Sequence, residues 1–243
     1  IITYARRKTN TMEQMQILLA ILVLLPFVSA LLLALCGSDR MRRLIVYGSA
    51  GVLMISAVAF AVCFFSGENL QLRFLQSGGI IDHTMLALEA GFAVLITVLG
   101  IKYRRYYVAV LSIVQTVLTF VYELGGYKPA VHPYNLFTDQ LTVIMVLIIA
   151  VVGTLITVYA VGYMRDYHNH HKEYADRRRF FFAMLYVFLG AMFGLVLSNS
   201  LLWLYFFWEI TSLVSFLLIG YTRTKEAVQN SFRALWMNLL GGL

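Results

Sequence analysis

The chain has 243 residues, of which 60% are hydrophobic and only 13% are charged, and its mean hydropathy is +0.78. A soluble domain is about 45–50% apolar and about 25% charged, so the composition excludes that class and predicts a polytopic membrane protein. The net charge of +7 does not indicate nucleic-acid binding, because the basic residues fall in short clusters between apolar segments. Cys36 and Cys63 both lie inside apolar segments, which indicates buried thiols.

Residues 1–11 are polar and basic, and they precede Met12, which opens the first apolar segment. We therefore expect residues 1–11 to be an upstream extension or an artefact. The apolar segment after Met12 is too long for a signal peptide, and no small-residue cleavage site follows it. At the other end the chain stops inside a further apolar segment, so we expect a fragment of a longer membrane domain.

A membrane-spanning helix needs about 20 predominantly apolar residues, and the chain offers seven such segments and a partial eighth. This pattern predicts an all-α fold, a bundle of transmembrane helices. The weakest segment is 84–101, which is short and carries an acidic residue. The predicted spans are 15–36, 44–65, 84–101, 107–124, 140–163, 180–198 and 201–221, followed by the partial span 228–243.

The loops between these spans predict the orientation of the chain. Lys and Arg collect in the loops 37–43, 102–105 and 164–179, which we therefore expect on the cytoplasmic side, with the N-terminus outside. We expect an integral protein of a prokaryotic inner membrane. On the opposite side, the loop 69–79 alternates apolar and polar residues as a strand does, whereas the loop 125–137 has two prolines and no helical period.

The strongest candidate for chemistry is Glu209, near the midpoint of the last complete span. A charged group at the centre of a bilayer helix costs roughly 2.5–3.5 kcal/mol on insertion scales. Tyr205 and Ser212 stand at i−4 and i+3 and share a helix face with Glu209, and Thr211 and Ser215 form a second polar pair on a neighbouring face. A carboxyl in this position can serve as a proton relay. The alternative is a buried Glu that only fixes helix packing.

Three segments resemble the antiporter-like subunits that respiratory complex I, Mrp-type cation/proton antiporters and energy-converting membrane hydrogenases share. They are 139–164, 179–221 and 230–243. The shared pattern is an Asp that opens one helix, an RFF stretch in the next, and then Trp-Glu followed by SFLLIG. The resemblance implies that residues 12–243 are the N-terminal part of one antiporter-like domain. The segment WEITSLVSFLLIGY resembles the Mrp and hydrogenase branch of the family more than it resembles complex I itself.

The resemblance implies that Glu209 is the membrane-embedded glutamate on which proton translocation depends. Its partner in the family is a lysine two helices further on, beyond Leu243, so the fragment would lack half of that charge pair. The implied partners are other membrane subunits of a hetero-oligomeric complex, lipid, and protons with or without Na⁺. Any redox chemistry, such as that of NADH dehydrogenase or a hydrogenase, would belong to another subunit. The helix pair 84–124 departs from the family pattern.

A second hypothesis is a structural role, in which this part of the protein only packs against lipid and docks other subunits. The missing lysine favours that role for the fragment, whereas the polar face around Glu209 favours transport for the parent protein. A third possibility, an intramembrane enzyme, has little support because the sequence shows no nucleophile–base pair.

Three further acidic residues are secondary candidates. Glu89 and Glu123 lie near the outer ends of the extra helix pair, and each can join an ion path or extend to the headgroups, which we favour. Asp139 immediately precedes the span that begins at 140, so its position predicts an N-cap.

His168, His170 and His171 cluster in the basic loop 164–179, but they lack the sequence context of a metal site. We predict no metal there and interpret the cluster as part of a solvated loop. The continuous aromatic run before Glu209 encircles its helix and cannot form a cofactor-binding face, and we predict no cofactor.

Overall fold

The computed structural model describes residues 2–66, 73–76, 80–124 and 134–242. The described part is helical apart from two short strands and the connecting turns. Its helices are α1 (Ile2–Leu35), α2 (Asp39–Ser66), α3 (Ile80–Lys102), α4 (Tyr106–Leu124), α5 (Gln140–His170), α6 (Arg178–Leu197), α7 (Leu201–Ile219) and α8 (Lys225–Gly241). The strands β1 (Arg73–Gln76) and β2 (Tyr134–Phe137) pair in a two-stranded sheet.

The predicted all-α membrane bundle is confirmed. Six helices of the described residues are long and apolar enough to cross a membrane, and Tyr106–Tyr122 is a shorter apolar helix. The partial eighth span corresponds to α8, which is not among the six. The strand-like pattern in the loop 69–79 corresponds to β1, and the rest of that loop lies outside the described residues.

Local signals set several helix boundaries. The side chain of Asp139 accepts a hydrogen bond from the Thr142 N–H at 2.7 Å and is the N-cap of α5, as its position predicted. Because these hydrogen bonds favour the carboxylate, the pKa of Asp139 is lowered. Ser200 caps α7 and Thr224 caps α8 in the same way.

The structure corrects the predicted start of the loop 164–179. Helix α5 continues to His170, about two turns beyond the predicted end of its span. At the end of the predicted span Tyr159 stacks on Tyr163 at 6.0 Å between ring centroids, and Tyr163 stacks on Tyr167 of the extension at 6.1 Å. These contacts at i, i+4 stabilise helix, and hydropathy alone does not reveal them.

The chain divides into two compact units, and the first comprises residues 1–73 and 136–197. In this unit α1, α2, α5 and α6 pack in a closed ring of neighbours. Close approach depends on small residues, as is usual between membrane helices. A Cβ on Gly190 of α6 would lie 2.9 Å from the Phe27 ring of α1. Cys36 and Cys63 are free cysteines of intermediate burial, so the predicted burial of these thiols is only partial.

The second unit comprises residues 74–135 and 198–243. Helices α3, α4, α8 and α7 form a second ring, in which each contacts two neighbours. The Phe92 and Phe206 rings lie 5.9 Å apart, and Ile96 shares an apolar cluster with Leu213 and Phe216. Contacts on α3 and α7 therefore advance together along the sequence, so these two helices run parallel.

Candidate functional site

Glu209 lies inside the second unit and is only 3% exposed. The Tyr205 hydroxyl donates a hydrogen bond of 3.2 Å to its Oε1. The other oxygen, Oε2, makes no hydrogen bond to any described residue. A buried carboxyl is normally satisfied by several donors, so this one has unused capacity to bind a proton or water.

The other polar residues predicted on α7 are arranged differently. Ser212 is 4% exposed, one turn beyond Glu209. The Thr211 hydroxyl donates to the Trp208 carbonyl at 2.8 Å, so it is engaged with its own helix. Ser215 is half-buried. Of this set, the structure brings Tyr205 into direct contact with Glu209.

Glu89 of α3 is completely buried, with 0% exposure. That burial does not agree with a side chain that extends to the headgroups, which was the favoured interpretation. Glu89 interacts electrostatically with both Glu209 and Tyr205. Two buried carboxyls of the same unit therefore lie within electrostatic range of each other.

Two polar side chains of this site were not predicted. Gln115 of α4 is 2% exposed and faces Tyr205, yet neither amide atom makes a well-formed hydrogen bond to a described residue. The indole Nε1 of Trp208 is likewise buried and makes no hydrogen bond to a described residue. A sequence signal for Gln115 did exist, since Ser112, Gln115 and Thr119 repeat at i, i+3 and i+7 on one face of α4.

Gln115 and Trp208 border a half-open pocket of about 480 Å³. Tyr205 and Thr119 also line it, together with the backbone at the C-cap of α8. A Cβ on Gly242 would lie 2.6 Å from the Gln115 Nε2. The pocket is large enough for several waters and has the polar partners that bound water needs.

The remaining candidates lie elsewhere. Glu123 belongs to the last turn of α4, and its side chain lies outside the described part of the structure. His168 and His170 occupy the last turn of α5 and His171 is its C-cap, so the first two lie in a helix and not in the predicted loop, although His170 is exposed. The Nε2 of His168 lies 3.7 Å from Asp176. The described residues contain no group of three or more His, Cys, Asp or Glu arranged to hold a metal ion.

Asp176 belongs to a surface ion-pair network of the first unit. Arg178 donates to its carboxylate oxygens, with the shortest contact at 2.6 Å, and also reaches Asp39 at 3.5 Å. The hydrogen bonds from Arg178 lower the pKa of Asp176 to about 2. This network lies at the surface, whereas the Glu209 and Glu89 carboxyls of the second unit are buried.

Two stretches of the chain match described protein families. Residues 131–181 match "NADH-Ubiquinone oxidoreductase (complex I), chain 5 N-terminus". Residues 198–243 match "NADH:quinone oxidoreductase/Mrp antiporter, TM". Glu209 and Tyr205 fall inside the second match, whereas the helix pair 84–124 falls outside both.

Similar proteins carry the name Na(+)/H(+) antiporter subunit A1. The chain is 32% identical over 139 residues to that of Staphylococcus haemolyticus strain JCSC1435, across 57% of this chain and 16% of the relative. It is 28% identical over 178 residues to those of Staphylococcus aureus strains JH9 and Newman, across 66% of this chain and 21% of each relative. The chain thus spans about a fifth of these relatives or less.

Proposed function

Because the chain belongs to the family of antiporter-like membrane subunits of complex I and Mrp antiporters, we propose that it translocates protons, with or without Na⁺. It does so as one membrane subunit of a larger complex. Its location is the inner membrane of a prokaryotic cell, with the N-terminus outside. Residues 12–243 belong to one antiporter-like domain, and any redox chemistry belongs to other subunits.

This proposal rests on the burial of the Glu209 carboxyl and on its incomplete hydrogen bonding. A buried carboxyl kept only for packing would be expected to have both oxygens satisfied, because an unmet polar group in the interior is destabilising. Glu209 is 3% exposed and has one oxygen bonded and one oxygen without a hydrogen-bond partner among the described residues. The free oxygen is where a proton can arrive or leave.

The hydrogen bond from Tyr205 depends on whether Glu209 carries a proton. Its hydroxyl donates to Oε1 of Glu209 at 3.2 Å, and this bond stabilises the ionised carboxylate. When Oε2 takes up a proton, the charge that this bond stabilised is lost and the hydroxyl is free to turn. Such alternation between two bonded states lets a proton enter on one side of Glu209 and leave on the other.

The test is Glu209→Gln, assayed as proton uptake by inverted membrane vesicles that hold the assembled complex. Gln keeps the size and hydrogen bonding of the side chain but cannot carry a proton, so we expect coupled uptake to fall to background. Immunoblots of the purified complex would show equal assembly. Glu173→Gln is the matched control, since it makes the same chemical change at a side chain that is 63% exposed.

Normal uptake by Glu209→Gln at equal assembly would contradict the proposal. Glu209 would then be a packing residue, and the structural and docking role would become the better account. Loss of assembly together with uptake would point the same way, because Gln is close to isosteric with Glu.

A further inference from the structure

The helix pair 84–124 lies outside both family matches, yet it contributes half of the polar interior of the second unit. Glu89 comes from α3 and Gln115 from α4, and both are almost completely buried, at 0% and 2% exposure. A helix pair that only filled space in the membrane would carry apolar side chains at these positions.

Because α3 and α7 pack in parallel, the heights of Glu89, Tyr205 and Glu209 along the two helices can be compared. Phe92 faces Phe206 at 5.9 Å between ring centroids. Glu89 lies one turn before Phe92, close to the level of Tyr205, and Glu209 lies one turn farther along α7. Tyr205 thus has Glu89 near its own level and Glu209 one turn beyond, and it interacts electrostatically with both.

The pocket at Gln115 supplies an independent observation. Both amide atoms of Gln115 are buried without a well-formed hydrogen bond to a described residue, and the Trp208 Nε1 beside them is equally unsatisfied. The pocket that these groups line, together with Tyr205, has a volume of about 480 Å³. Polar groups in this condition bind water, so the site can hold a water beside the Tyr205 hydroxyl.

We propose that Glu89 is a second proton-carrying group, joined to Glu209 through the Tyr205 hydroxyl and water bound at Gln115. This inference rests on the proposed function of Glu209. It gives the extra helix pair a part in ion transfer. In one transfer the Tyr205 O–H bond breaks and its proton passes to the Glu209 carboxylate. The hydroxyl regains a proton from the Glu89 carboxylic acid, directly or through the water, and Glu89 is left as a carboxylate.

The test compares Glu89→Gln with Glu89→Asp in the vesicle uptake assay, with Glu209→Gln measured in parallel. A proton carrier needs a carboxyl, so we expect Gln to reduce uptake at least about tenfold and Asp to keep a clearly larger share. A packing role predicts the opposite order, because Gln preserves the volume of Glu and Asp does not. Ser112→Ala, which alters another buried polar residue of the extra pair, is the control and should transport normally.

The outcomes separate the two proposals. If Glu209→Gln abolishes uptake while Glu89→Gln transports normally, this inference fails and the role of Glu209 stands. If neither variant loses uptake, both fail. If Gln transports better than Asp at equal assembly, Glu89 is structural.

A second measurement applies if the Glu89 variants do not assemble. A hydrophobic carbodiimide reacts with protonated carboxyls, and the wild-type complex can be treated and then digested for mass spectrometry. We expect modification at Glu89 as well as at Glu209, with uptake lost in proportion to the label. Modification at Glu209 alone, at full labelling, would overturn the assignment of Glu89.

Discussion

In the first unit the hydroxyl of Tyr186 accepts a hydrogen bond from Ser49 at 2.7 Å and donates to the Val46 carbonyl at 3.0 Å. In the second unit the hydroxyl of Tyr205 donates to the carboxylate of Glu209, and Tyr205 lines the half-open pocket at Gln115. The Tyr186 hydroxyl therefore both accepts and donates a hydrogen bond. Tyr205 instead lies beside Oε2 of Glu209 and the amide of Gln115, which make no well-formed hydrogen bond to the described residues.

The same contrast extends to the other buried polar residues. In the first unit, Thr154 and Thr157 donate to carbonyls of their own helix at 2.6 Å and 2.8 Å. Arg42 is buried there too, but it is paired with Asp39 and lies over the Phe182 ring. Hydroxyls and paired charges can be buried without a large penalty. Oε2 of Glu209 and the amide of Gln115 make no well-formed hydrogen bonds to the described residues, and the proposed ion transfer would account for their presence.

The largest expected effect is a loss of stability when the packing of the first unit is disrupted. Gly190→Val places methyl groups where a Cβ alone would lie 2.9 Å from the Phe27 ring. Overpacking costs about 1–3 kcal/mol and sometimes more, so we expect a lower melting temperature in detergent and less assembled complex. Gly48→Val is the control, since nothing lies within 4 Å of a Cβ there. Equal melting of the two variants would show that the close approach of α1 and α6 is not needed.

The next prediction compares the two tyrosines directly. Tyr205→Phe removes the donor on Glu209, so we expect proton uptake to fall at least about tenfold with normal assembly. Tyr186→Phe should leave uptake per complex unchanged and cost about 1 kcal/mol of stability, because a buried hydrogen bond is lost. Vesicle uptake and thermal unfolding measure the two effects.

Loss of uptake in Tyr186→Phe, with Tyr205→Phe unaffected, would reverse the contrast between the units. Equal effects of both substitutions on uptake would show that buried tyrosine hydroxyls matter in general and that Glu209 has no special relation to its donor.

The smallest expected effect concerns the exposed ion pairs. The pKa of Asp176 is lowered to about 2, from about 3.9 in an unfolded chain. Its pairing therefore stabilises the fold fully above about pH 4, and this contribution is lost as the pH falls toward about 2. Since Asp176 is 51% exposed, the contribution should stay below about 1 kcal/mol. Unfolding of wild type and Asp176→Asn across this range measures it, and identical pH slopes would contradict it.

The contact between Glu209 and Tyr205 could be predicted because both residues stand on one helix. A spacing of four residues places two side chains on the same face wherever the helix packs. The N-cap at Asp139 is local in the same sense. The burial of Glu89 could not be predicted, because it depends on α7, more than a hundred residues away along the chain.

The amino-acid sequence by itself determined the helical membrane class and the approximate ends of the helices, and it was enough to single out Glu209 as the candidate residue. Both follow from local properties of the chain, namely the length of each apolar segment and the cost of placing a carboxyl in the middle of one. Only the tertiary structure decided that α3 and α4 pack against α7 and α8, with Glu89 and Gln115 beside Tyr205. A nearly uniform apolar helix does not specify which of its faces meets a neighbour, so its partners are decided by packing.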